Sequence, residues 1–158
     1  LYPDPALLKV KNTISAEKII NRKSDWLFAF TQDFAKRTTW DKQTKSIGFL
    51  NGFSTLEKGA NVYTESSEGV RMDTEYISFD PPNKISIHML NRSSLFVSFT
   101  GTWDYTELAE NRTSIKITYQ FSLRFPFILI KKLIFRRIKA NITNKLVDLE
   151  THLSKLAT

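Results

Sequence analysis

The sequence predicts an α+β fold: an antiparallel sheet of six or seven strands, covered on one face by a single long C-terminal helix. Three observations predict it. The run Phe125–Leu156 contains no glycine, and its one proline, Pro126, stands where a first helical turn tolerates proline. Within it Ile128, Phe135, Ile142, Leu149 and Leu156 recur every seven residues, and Ile138, Leu146 and Leu153 widen the line into a stripe. Before it, successive segments alternate apolar and polar residues, the period-2 pattern of a half-buried antiparallel sheet. A sheet with one apolar face must cover that face, and the helix, roughly 45 Å long at 1.5 Å per residue, is the one element large enough.

Taken in order, residues 1–12 carry two prolines among their first five positions and read as an N-terminal arm, with residues 13–158 as one domain. Ile14–Ile20 is a strand. Ser24 is placed to cap a helix from Asp25 to about Phe34, whose apolar side is Leu27, Phe28, Phe30 and Phe34. Ala35–Trp40 is a second short helix. Strands follow over Thr44–Leu50, Ala60–Ser66, Val70–Phe79, Lys84–Leu90, Leu95–Thr106 and Ser114–Leu123. Glu68-Gly69, Asp80-Pro81-Pro82-Asn83, Asn91–Ser94 and Glu110-Asn111-Arg112 supply the turns. Leu95, Val97, Phe99, Gly101, Trp103 and Tyr105 are expected on one face of the sixth strand. The seventh should turn Ile115, Ile117, Tyr119, Phe121 and Leu123 inward. The helix is expected from Pro126 to Leu156.

Composition narrows the chemistry. The 158 residues carry a net charge of +7, which suits anionic membranes, nucleic acid or acidic ligands as well as a merely solvated surface. No cysteine is present, so disulfides, thiol nucleophiles and thiolate metal sites are excluded. Lys131-Lys132 and Arg136-Arg137 break the apolar runs, so no segment reads as a bilayer span, and no signal pattern is visible. The expected compartment is the cytoplasm. The two histidines, His88 and His152, are not spaced as a ligand pair, and no metal or cofactor is expected. No Gly-x-Ser-x-Gly and no glycine-rich phosphate loop occurs.

The stretch Ser24-Asp25-Trp26-Leu27-Phe28-Ala29-Phe30-Thr31-Gln32-Asp33-Phe34, followed by Trp40-Asp41, resembles the first-helix signature of the START-like, Bet v 1-like superfamily. Its bacterial members are the polyketide cyclase/dehydrase and lipid transport proteins, in which Val-Phe-x-Phe-x-x-Asp-Phe precedes a Trp-Asp pair. Leu27 replaces the usual Val. Gly59, Asp80-Pro81-Pro82 and Asn111-Arg112-Thr113 match further along, and the resemblance covers roughly residues 13–156. It implies a helix-grip fold, a seven-stranded sheet wrapped around the C-terminal helix, with a cavity for an apolar ligand. It does not imply which ligand.

Three functions are therefore carried forward. The first is binding or transport of a hydrophobic small molecule or lipid between sheet and helix, with Phe30, Trp40, Met72, Tyr76, Ile87, Phe99, Trp103, Tyr119, Phe135 and Ile138 as candidate lining. The large rings among them would either line a cavity or fill it. The second is a cyclase-, aromatase- or dehydratase-like enzyme, which needs an inward polar group. Arg71, Asp73 and Glu75, together with His88, are where to look, although an outward face of cross-strand ion pairs is the favoured reading of the three. The third is a membrane-surface or partner-binding module using Lys131, Lys132, Arg136 and Arg137 beside Phe127–Ile130. Nucleic acid is disfavoured, because the aromatic residues follow buried parity. A monomer or weak dimer is expected.

Overall fold

In a computed structural model, described for residues 11–156, seven strands form one sheet and three helices lie against it. The strands are β1 (Asn12–Ile20), β2 (Thr44–Phe49), β3 (Asn61–Ser66), β4 (Arg71–Asp80), β5 (Lys84–Met89), β6 (Phe96–Ala109) and β7 (Arg112–Leu123). The helices are α1 (Ser24–Gln32), α2 (Phe34–Trp40) and α3 (Lys131–Leu156). Apart from Lys11 and Asn12, the expected arm lies outside the described residues, and Asn12 already pairs with Phe121 as part of β1.

The sheet order is β1-β7-β6-β5-β4-β3-β2, every neighbouring pair antiparallel. Consecutive hairpins build β2 to β7, and α1 and α2 carry the chain from β1 at one edge to β2 at the other. Gly69 makes the β3–β4 turn with φ +83°, a conformation that costs glycine nothing. α3 is fastened along β1 by the Lys139 ammonium, which donates to the Ser15 carbonyl, and by Lys18–Glu150 at 3.3 Å.

Several expectations are corrected. The helix does not start at Pro126: Phe127–Ile130 form a 3₁₀ turn and the α-helix begins at Lys131. Ser24 is not the cap of α1. Lys23 holds that position without a side-chain bond, and the Ser24 hydroxyl faces Glu107 at 3.5 Å. Asp33 caps α2 instead, its carboxylate accepting from the Ala35 N–H at 2.9 Å. In α3 the buried line is Ile134, Ile142, Leu146, Leu149 and Leu153; Phe135 and Ile138 are half-buried and Leu156 is exposed. Val97 does not face inward. The ladder steps from Phe96↔Leu123 to Ser98↔Ser122, so Val97 is the extra residue of a bulge, 44% exposed, and Phe96 takes its place inside. A second bulge at Ile77 lets both Tyr76 and Phe79 face inward.

The core has two parts. One gathers Leu27, Phe28, Trp40, Trp103, Ile115 and Ile117 with the second half of α3. The other gathers Phe96, Phe99, Phe121, Leu123 and Ile134 near the start of α3. Half-buried Ile14, Tyr119 and Ile138 touch both.

Candidate functional site

Among the described residues, the buried charged side chains gather at one place. There α2, α3 and the middle strands bring Arg37, Asp41 and Lys145 together in the interior. Asp41 follows the last turn of α2 and is fully buried. Its Oδ2 accepts from Lys145 Nζ at 2.6 Å and Thr44 Oγ1 at 2.8 Å, its Oδ1 accepts from the Gln43 N–H at 3.1 Å, and Arg37 stands 3.6 Å away. Burial alone would raise the Asp41 carboxyl, but the Lys145 and Arg37 charges and the hydrogen bonds hold it below the usual carboxylate range. Burial pushes the Lys145 ammonium down, and Asp41 only partly restores it. Two cations thus share one carboxylate in a low-dielectric interior.

Arg37 reaches between two indoles, its guanidinium carbon 4.7 Å from the Trp103 ring centre and 5.3 Å from that of Trp40. Arg37 is 9% exposed and Trp40 2%, yet Arg37 Nε and Trp40 Nε1 have no hydrogen-bond partner. Buried donors in that condition cost about 1–3 kcal/mol each. Phenols surround them. Tyr105 Oη shares a hydrogen bond with Thr31 Oγ1 at 2.6 Å and accepts one from Gln32 Nε2 at 2.9 Å; Tyr76 Oη donates to Gln32 Oε1 at 3.2 Å. Burial pushes Tyr105 up to about 12 and raises Tyr76 further. Tyr119 is also pushed up to about 12 by burial, with Asp41 adding to the shift. Its ring leans over Gly101, where a Cβ would lie 3.3 Å from Tyr119 Cε1 and 3.4 Å from the Ile87 side chain.

The structure divides the expected lining. Trp40, Tyr76 and Trp103 are buried around Arg37, and Trp40 and Trp103 meet edge to face at 6.5 Å, so there the rings fill space. Ile87, Tyr119 and Ile138 sit on the covered face but stay half-buried. Met72, Phe99 and Phe135 belong to the second cluster, where Phe135 meets Phe121 edge to face at 5.5 Å. Phe30 stands apart, stacked on Trp26 at 4.9 Å and facing His152 at 5.9 Å, at the joint between α1 and α3. The enzyme candidates lie on the outer face: Arg71 bonds Asp73 at 2.8 Å and His88 bonds Glu75 at 2.9 Å. Arg71, Asp73 and Glu75 thus follow the favoured reading of an outward face with ion pairs. Among the described residues, no group of three His, Cys, Asp or Glu side chains is placed to hold a metal.

Sequence reasoning missed Arg37 and Lys145. The signal for Lys145 was present: it continues the line of Ile138 by one heptad and stands between Ile142 and Leu146 on the apolar stripe. Two open depressions mark the surface, one of about 700 Å³ between the start of α1 and the β6–β7 turn, one of about 400 Å³ beside Gly59 and Ile77. Neither lies between sheet and α3.

Solved structures share the architecture. A di-domain aromatase/cyclase, BexL of the BE-7585A biosynthetic pathway, superposes with TM-score 0.76 at 12% identity over 90% of this chain; the chain spans 46% of that protein's length. A START superfamily protein from Mycobacterium smegmatis gives 0.71 at 12% identity, covering 91% of this chain and 98% of the other. The Zhui aromatase/cyclase from Streptomyces sp. R1128 gives 0.64 at 16% identity, covering 73% and 70%. These identities establish the helix-grip fold and no more. No curated protein sequence matches the chain. A family model described as polyketide cyclase/dehydrase and lipid transport matches residues 11–154, nearly the whole chain, and to that family the protein belongs.

Proposed function

We propose that the protein binds a hydrophobic small molecule or lipid between the covered face of the sheet and α3. One observation carries this. Met72, Ile87, Met89, Tyr119 and Ile138 pack on the core clusters yet keep accessible surface. A packed core buries such side chains; a ligand face leaves them partly open. Binding would draw on apolar burial at about 25 cal/mol per Å², before ordering costs. Arg37 Nε and Trp40 Nε1, both without acceptors, would take an oxygen of the ligand at the polar end. The excess cation there favours a carboxylate or enolate.

A second reading is a cyclase- or dehydratase-like enzyme, and the same polar centre favours it. Arg37 would hold a developing enolate oxygen, while the Tyr119 phenol, neutral to about pH 12, would act as a proton donor and not as a base.

Native against denatured mass spectrometry of the freshly purified protein tests both. The expected result is a discrete small-molecule mass released on denaturation. A Phe135→Trp variant should retain stability and lose most of that mass. If the variant loses stability and keeps its ligand, or if no apolar compound binds the protein at any concentration, the interior is a packed core and the binding reading falls. Conversion of the bound molecule by loss of water, abolished by Arg37→Met, would select the enzyme.

A further inference from the structure

The antiparallel order brings the β3–β4 turn, the β5–β6 loop and the β7–α3 linker to one end of the molecule. Contacts tie them there: Arg137 lies 3.6 Å from Glu68 of the first turn, and Arg124 donates to the Ser93 carbonyl of the second at 3.0 Å. This end exposes large apolar side chains from all three connections. Leu129 is 75% exposed, Val70 63% and Leu133 53%, and Phe125, Ile130 and Leu90 are about half exposed. None of the four that flank or begin α3, Phe125, Leu129, Ile130 and Leu133, packs on either core cluster.

Charge is distributed to match. From Asn111 to Val147 there is no acidic residue, while nine lysines and arginines occur. Lys131, Lys132, Arg136 and Arg137 are exposed on the first turns of α3, interleaved with Leu129, Ile130 and Leu133. The acidic groups nearby are Glu68, facing Arg137, Glu65, 3.4 Å from Lys45, and Asp73, bonded to Arg71, so none cancels the field of the helix start. Protruding apolar tips set in a ring of cations suit a surface that is anionic outside and hydrocarbon beneath. A nucleic acid would use the cations and leave Leu129 and Leu133 wet. A protein partner would bury the apolar tips but would need an acidic rim of its own.

We propose that this end docks on an anionic lipid bilayer, with Leu129, Leu133 and the neighbouring loop tips inserted at the interface and Lys131, Lys132 and Arg136 against the headgroups. The second core cluster, with half-buried Met72, Met89, Phe127 and Phe135, lies beneath the same end. A molecule leaving the bilayer would therefore meet the apolar interior directly. The docking surface itself does not depend on the ligand reading.

The test is co-sedimentation of the full chain with phosphatidylcholine vesicles, alone and with about 30% phosphatidylserine. Binding is expected only to the anionic vesicles and should weaken at least tenfold between about 0.05 and 0.5 M salt. Reversing Lys131, Lys132 and Arg136 to Glu should lower it by about a hundredfold, and Leu129→Asp with Leu133→Asp should abolish it. The same three-charge reversal at Lys58, Lys84 and Arg112, all exposed and distant from this end, should leave binding within about threefold. Equal losses from both charge reversals would reduce the effect to net charge and overturn the proposal. So would binding indifferent to the Leu129 and Leu133 changes, or a dimer in sedimentation velocity that those changes dissolve, since a second copy would then cover the patch. Because these variants are read on vesicles and the ligand on mass spectrometry, either idea can fail alone.

Discussion

Asp41 is the residue on which the interior most depends. It neutralises one of two buried cations and ties α2, the start of β2 and α3 to one another through Arg37, Thr44 and Lys145. Removing one partner of such a cluster leaves buried charge uncompensated, which typically costs about 3–5 kcal/mol. Asp41→Asn is expected to cost that much in urea unfolding at neutral pH. The pH dependence has a definite sign. The folded carboxyl ionises below its ordinary value of 3.8, so its contribution is complete above that value and is lost as pH falls through the lower, folded one. The gap between the protein and the variant should be widest above pH 4 and close in acid. A gap that widened on acidification would mean that Asp41 is not the counter-ion. Its importance was half legible: the Trp40-Asp41 pair belongs to the signature, but the sequence does not say that a lysine 104 positions later completes the site.

Elements were easier to read than their inner faces. Period-2 alternation located every strand to within a few residues, because half-buried antiparallel strands separate their two faces cleanly. It failed at Val97, since a bulge shifts parity by one residue without any change in composition. α3 shows the same limit. Its heptad line held at Ile142 and Leu149, where the helix lies on the core. It failed at Leu156, beyond that contact, while Ile128, in the preceding 3₁₀ turn, is partly buried against the second cluster. Equal hydrophobicity therefore predicts unequal energetics. Leu149→Ala should cost about 2–5 kcal/mol by cavity formation. Leu156→Ala, more than half exposed, should fall within about 0.5 kcal/mol of the parent. Thermal unfolding of the pair would check this, and similar losses would show that the end of α3 packs as the heptad suggested.

Across the whole molecule the two core clusters differ in closure. The first is sealed by Ile142, Leu146, Leu149 and Leu153 along three turns of α3 and by the hydrogen-bonded group Thr31–Gln32–Tyr76–Tyr105. Among the described residues, the second has Ile134 alone buried on the helix side, and its floor includes half-buried Met72, Met89 and Phe135. Local opening follows the density of buried contacts. Hydrogen exchange should thus show β7, β1 and residues 142–153 opening only with global unfolding, while residues 127–136 and the β5–β6 loop exchange through a smaller, separate opening. An apolar ligand that enters from this end must pass through that opening, so occupancy should slow exchange at residues 127–138 and leave β7 unchanged. Uniform protection along α3 would mean that the helix moves only as a unit with the sheet. Entry between them would then require the whole domain to unfold, and carriage would lose its physical route.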